Sequence, residues 1–216
     1  MQKIGSAIMT VLFLAIIVAV IWRWEINGWG SLAWVAGMIA INIVRAPHTK
    51  ANAANVVTNV KEARREKLLL ALVGVCGTVL PLLHLATGLL SFADYDAPQW
   101  LPVVGLAIFL PGLYLFWRSH KDLGRNWSVT TELREDHTLI TDGIYNRIRH
   151  PMYSAIFLMF LPQPLFLHNW IAGLAAPLAF VIMYFIRVPY EEAMMREQFG
   201  NEYDEYCART GRLWPS

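Results

Sequence analysis

Apolar runs and polar connections alternate along this chain with a period too long for a soluble fold. Crossing the hydrocarbon core of a bilayer takes a helix of about 20 apolar residues. Six stretches approach that length: Ile4–Trp22, Trp29–Val44, Leu68–Phe92, Trp100–Trp117, Met152–Leu167 and Trp170–Ile186. Tryptophans stand at many of their ends (Trp22, Trp29, Trp100, Trp117, Trp170), where an amphipathic ring favours the membrane–water interface. The first run follows Lys3 and carries no charge from Ile4 to Trp22, which predicts a retained anchor rather than a cleaved leader.

Composition agrees with this pattern. Hydrophobic residues make up 56% of the 216 and charged residues 16%, with a mean hydropathy of +0.40. Such a chain has too little polar surface to cover a water-facing globule. The net charge of +2 gives no ground for a nucleic-acid partner, but the placement of the basic residues is informative. Arg45–Lys67 holds six Lys/Arg, Arg118–Pro151 six more, and the tail from Arg187 onward four. Ala93–Gln99 carries Asp94 and Asp96 with no base. The positive-inside rule puts the three basic segments in the cytoplasm, and six helices with both termini inside satisfy it. The prediction is an all-α, multi-pass integral membrane protein of about six transmembrane helices with a cytoplasmic C-terminal cap. Residues 1–117 form helices one to four. Residues 118–216 form the catalytic region, with a cytoplasmic segment, a transmembrane hairpin and a tail helix. In a prokaryote the membrane would be the cell inner membrane.

The connection at Asn169 is very short, so the last two runs predict a tight hairpin. Its flanking segments, Arg118–His150 and Arg187–Ser216, then emerge on one face, and chemistry is expected where they meet. In "RIRHPMYSAIF", Pro151 suits the first turn of a helix. Arg149 reads as a topological charge that can snorkel to headgroups, a reading that explains His150 poorly. In "FIRVPYEEAMMREQFG", Pro189 restarts or kinks the last helix. If the helix continues through it, Arg187 and Glu191 share one face. Asp142-Gly143 marks a turn. Cys76 and Cys207 lie far apart and predict no bridge, and no metal-ligand spacing or hydrolase triad is present.

The strings "HKDLGRNWS", "HTLITDGIYNRIRHPMY", "RVPYEE" and "FGNEYDEYCARTGRLWP", in that order, resemble the isoprenylcysteine carboxyl methyltransferase family, in particular its compact archaeal and bacterial members. The likeness runs from His120 to Pro215, a little under half of the chain. It implies a membrane-embedded methyltransferase, not a Rossmann fold, whose cytoplasmic C-terminal part is a catalytic cap, that uses S-adenosyl-L-methionine and acts on a lipophilic, prenylcysteine-like carboxylate. Carried over by residue, the cofactor site would comprise His137, Thr138, Leu139, Ile140, Tyr145, His150, Pro151, Met152, Tyr153 and Glu191. Arg187 would meet the substrate carboxylate. Eukaryotic members carry a glutamine cofactor contact where Thr130 stands here.

Three other readings compete. A membrane sterol or enone reductase would place Arg147, Arg149, Arg209 and Arg212 on the phosphates of NADPH. A methyltransferase could act on a phospholipid amine or a thiol. A scaffold or lipid-binding bundle accounts for the apolar pattern alone.

Overall fold

The computed structural model describes residues 16–52, 63–124 and 139–216. Among them helices dominate and no β-strand forms; two isolated bridges join Asp94 to Asn169 and Ile148 to Gly211. Among the described residues four helical stretches are long and apolar enough to cross a membrane: Trp29–Thr49, Arg64–Thr87, Leu101–Leu123 and Trp170–Phe199. The first apolar run is described only from residue 16, as helix α1 over 16–22, followed by the short α2 (Trp24–Asn27).

Each long helix extends past its apolar stretch at the basic end, whereas the run Leu68–Phe92 leaves its helix at Thr87. Helix α3 (Trp29–Asn52) continues through Pro47 to the end of the described segment, so the start of the basic Arg45–Lys67 connection is helical. Helix α4 (Ala63–Gly74) leads through a π-turn, Val75–Val79, into α5 (Leu80–Thr87). Helix α6 (Leu101–Leu123) carries Arg118, His120 and Asp122 on its polar extension. The run Met152–Leu167 is not one helix. It breaks at Leu161-Pro162 into α7 (Pro151–Phe160) and α8 (Gln163–Leu167), because Pro162 and Pro164 restart the chain in a new first turn. Helix α9 (Trp170–Phe199) runs through both Pro177 and Pro189, and α10 (Asn201–Arg209) follows after Gly200. Of the two outcomes open at Pro189, a continuous helix is the one realised.

Apolar side chains divide between core and periphery as a lipid-solvated bundle requires. Val20, Leu85, Phe116, Ala155, Phe166 and Ala172 are buried together. Ile43, Leu68, Val103, Leu110, Leu178, Ile182 and Phe185 point outward, with Trp22, Trp100 and Trp170 exposed near helix ends. Small residues let helices approach closely. A Cβ at Gly112 of α6 would lie 2.8 Å from Leu158 and 3.0 Å from the Ala155 carbonyl of α7.

The predicted hairpin is fastened at its closed end by Asn169, which is fully buried. Its side-chain oxygen caps α9 by accepting from the Ala172 N–H at 2.8 Å. Its amide donates to the Leu90 carbonyl at 2.7 Å and to Asp94 at 2.6 Å. The hairpin is thereby tied to the Ala93–Gln99 connection, the acidic segment assigned from the charge pattern to the face opposite the basic ones.

Candidate active site

The site lies at the open end of that hairpin, where α4, α7, α9 and the tail converge. His150 precedes α7, and Pro151 occupies the helix's first turn with no N–H to leave unsatisfied. The preceding segment is held by the tail in a short parallel pairing. Arg149 N–H donates to the Gly211 carbonyl at 2.8 Å, His150 N–H to the Arg212 carbonyl at 3.0 Å, and Gly211 N–H to the Arg147 carbonyl at 3.2 Å. Ser154 adds a 2.5 Å bond to the Leu213 carbonyl.

Arg149 does not snorkel to lipid. Its guanidinium turns inward, donating to the Cys207 carbonyl at 2.9 Å and to the Thr210 carbonyl, and it lies 3.8 Å from Glu192. It closes the end of α10, where the last carbonyls of a helix lack intrahelical donors. Arg149→Met is therefore expected to destabilise the detergent-solubilised protein by about 3–5 kcal/mol, as loss of a paired buried charge does. A lowered thermal unfolding midpoint would report this, and an unchanged one would refute the assignment.

Four residues of α7 and α9 (Tyr153, Arg187, Glu191 and Glu192), with His150 before α7 and Arg212 from the tail, form one polar cluster. Arg187 and Glu191, one turn apart on α9, bond through Nε and Oε1 at 2.7 Å. The Tyr153 hydroxyl donates to the same oxygen at 2.8 Å. His150 Nδ1 lies 3.9 Å from the other Glu191 oxygen, and its Nε2 is 3.2 Å from Glu192 Oε1. Arg212 from the tail clamps Glu192 through Nε at 3.0 Å and Nη2 at 2.5 Å, and this pairing raises the Arg212 pKa above its ordinary value. One carboxylate, Glu191, thus stands between the predicted substrate-binding arginine and the predicted cofactor-binding histidine.

The remaining predicted residues are placed differently. Tyr145 is buried beside α6 and α10, with its hydroxyl 3.5 Å from the Ser119 carbonyl and its own carbonyl accepting from Tyr206 at 2.6 Å. Burial drives its pKa upward and that of Tyr206 up to about 12, so both remain neutral phenols at physiological pH. Pro151 is buried in the helix start, and Met152 packs on the apolar core instead of the polar cluster. Leu139 and Ile140 are half-buried in the extended lead to the Asp142-Gly143 turn. That turn forms with Gly143 at φ +61°, a left-handed conformation that suits glycine. Asp122 fastens it by accepting from the Ile144 N–H at 2.8 Å. His137, Thr138 and Thr130 lie outside the described residues.

Two participants were not singled out from the sequence. Glu192, next to Glu191 on α9, joins His150 to Arg212. Glu66 of α4 lies 2.9 Å from Arg187 Nη1, and neighbouring Arg65 reaches the Ile186 carbonyl at 3.5 Å. An acid two residues before an apolar run is itself a signal, since ionisable groups at membrane depth mark functional sites.

Residues 100–202 match a family model described as phospholipid methyltransferase. A probable protein-S-isoprenylcysteine O-methyltransferase of Oryza sativa subsp. indica is 30% identical over 128 residues, covering 58% of this chain and 66% of the relative. Protein-S-isoprenylcysteine O-methyltransferase B of Arabidopsis thaliana is 30% identical over 51% of this chain and 57% of its own length. The Homo sapiens protein-S-isoprenylcysteine O-methyltransferase is 33% identical over 51% of this chain and 39% of its own length. A solved structure of the eukaryotic intramembrane Ras methyltransferase ICMT superposes with a TM-score of 0.54, covering 89% of this chain and 67% of that one. The chain belongs to the isoprenylcysteine carboxyl methyltransferase family. At 24% identity the solved structure establishes the shared fold: an integral membrane helix bundle, not a Rossmann sheet.

Proposed function

We propose that this protein is a membrane methyltransferase that uses S-adenosyl-L-methionine to esterify the carboxylate of a lipophilic, prenylcysteine-like acceptor. The observation that carries the reading is Arg187, whose side chain is only 11% exposed where the apolar stretch of α9 ends and shares Glu191 with Tyr153 and His150. A permanently charged, forked guanidinium at an apolar boundary suits a carboxylate joined to a greasy chain.

The donor set fits the proposed cofactor. Glu191 offers an anion to an ammonium or to sugar hydroxyls. The rings of His150 and Tyr153, 5.7 Å apart and edge to face, offer π-faces to a cationic sulfonium. Leu139, Ile140, Tyr145, Pro151 and Met152 would supply the apolar and buried walls, with His137 and Thr138 completing the set. Bound S-adenosyl-L-methionine supplies an electrophilic methyl whose bond electrons stay on sulfur as the ester forms. A carboxylate acceptor is already ionised at neutral pH, so the protein's task is alignment, which is worth roughly 7–11 kcal/mol in favourable cases. Arg187 would hold the nucleophile, while the tail segment and α7 exclude water.

A phospholipid amine acceptor is the second reading, favoured by the description of the matching family model. A nicotinamide reductase is less well supported, because Arg149 and Arg212, two of its four phosphate-binding candidates, are engaged with backbone carbonyls and Glu192. The test is methyl transfer by purified, solubilised protein to a small prenylcysteine and, separately, to phosphatidylethanolamine, alongside a titration with NADPH. A base-labile methyl ester on the prenylcysteine supports the proposal. Transfer only to the amine, or binding of NADPH without S-adenosyl-L-methionine, overturns it.

A further inference from the structure

Arg187 presents two edges on which a planar carboxylate can be gripped by parallel N–H groups: one formed by Nε with its neighbouring Nη, the other by the two Nη groups. The first edge is taken by Glu191 at 2.7 Å. That grip is secured twice over. Glu191 is one turn away on the same helix, and its Oε1 also accepts from Tyr153. On the outer side Glu66 Oε1 lies 2.9 Å from Nη1 as an ion pair, beside the second edge. Glu66 comes from a different helix, 121 positions earlier in the chain, and its side chain is 12% exposed against 11% for Arg187. Solvent screens such a pair weakly.

We propose that Glu66 is a built-in rival of the acceptor carboxylate for the outer edge of Arg187, and that it sets how strongly the site prefers an acid over the ester it becomes. This rests on the acceptor chemistry proposed above. An incoming carboxylate cannot grip Arg187 end-on while Glu66 remains there, and three carboxylates around one guanidinium repel one another. The acid therefore binds by exchange, displacing Glu66. After methylation the ester has lost its charge and competes poorly, so Glu66 re-forms its ion pair and the product is released. Glu191 cannot fill this role, because its position is fixed by Tyr153 and by the helix itself. Residue 66 also lies outside the matched segment 100–202, so the rivalry comes from a part of the chain that the family model does not cover.

The test is a binding measurement on full-length, detergent-solubilised protein without cofactor. A small S-prenylcysteine acid and its methyl ester are titrated into wild type and Glu66→Gln, with intrinsic tryptophan fluorescence as the readout. Glu66→Gln is expected to tighten the acid by at least about threefold, within the range of a single ion pair, and to move the ester by less than about twofold. Unchanged or weakened acid binding with an intact thermal unfolding transition overturns the inference and leaves Glu66 as a structural tie between α4 and α9. If the glutamine variant does not fold, Glu66→Asp, which withdraws the charge from Nη1 by one methylene, replaces it with the same two outcomes. Should wild type bind acid and ester alike and Arg187→Ala change neither, the acceptor assignment itself falls and takes this inference with it.

Discussion

Arg187→Ala is expected to lower methyl transfer to a prenylcysteine by at least about 100-fold in kcat/KM, or about 2.7 kcal/mol, while cofactor affinity changes by less than about threefold. The magnitude follows from the arginine's setting. It is largely buried, bonded to Glu191 at 2.7 Å and close to Glu66 at 2.9 Å, so truncation removes the acceptor's counter-charge in a place where water substitutes poorly. Lysine is not expected to rescue, because a point charge cannot hold one carboxylate on each edge. Truncation also leaves Glu66 and Glu191 facing each other. The double variant Glu66→Gln/Arg187→Ala relieves that repulsion, and its transfer rate remains low if the arginine acts on the acceptor. Equal losses in transfer and in cofactor affinity would reassign Arg187 to the cofactor.

His150→Ala is expected to abolish binding of S-adenosyl-L-methionine in a calorimetric titration, a loss of at least about 100-fold or about 2.7 kcal/mol. His150 is the residue through which the two acids of α9 meet the segment before α7, at 3.2 Å from Glu192 and 3.9 Å from Glu191. Its ring also stands edge to face with Tyr153. A purely structural role would lower the unfolding midpoint in proportion to the affinity lost. Near-normal affinity would refute the assignment whatever the midpoint does.

The apolar pattern made the long helices and the hairpin legible, because lipid selects for uninterrupted hydrophobic length whatever the neighbours. The same pattern misjudged where helices end. Hydropathy marks the hydrocarbon crossing, whereas backbone hydrogen bonding carries α6 and α9 onward into water, with Asp122 and Glu191 riding on the extensions. Arg187 and Glu191 were recoverable as a pair because their spacing is local. Glu66 was not, since nothing in one dimension says that a charge in a basic connection folds onto a helix 121 positions away. Arg149 was misread for a related reason. Its partners are main-chain carbonyls of the tail, and carbonyls leave no trace in side-chain identity.

Asn169 gives the hairpin the mechanics of a tuning fork. Its stem is clamped by bonds to Leu90, Asp94 and the start of α9, and its prongs end at Tyr153 and Glu191. Any parting of the prongs to admit a bulky tail must swing about that stem, with the widest travel at the tips. Loosening the stem, as by Asn169→Ala, therefore reaches Tyr153 and Glu191 by leverage from the far end of the hairpin.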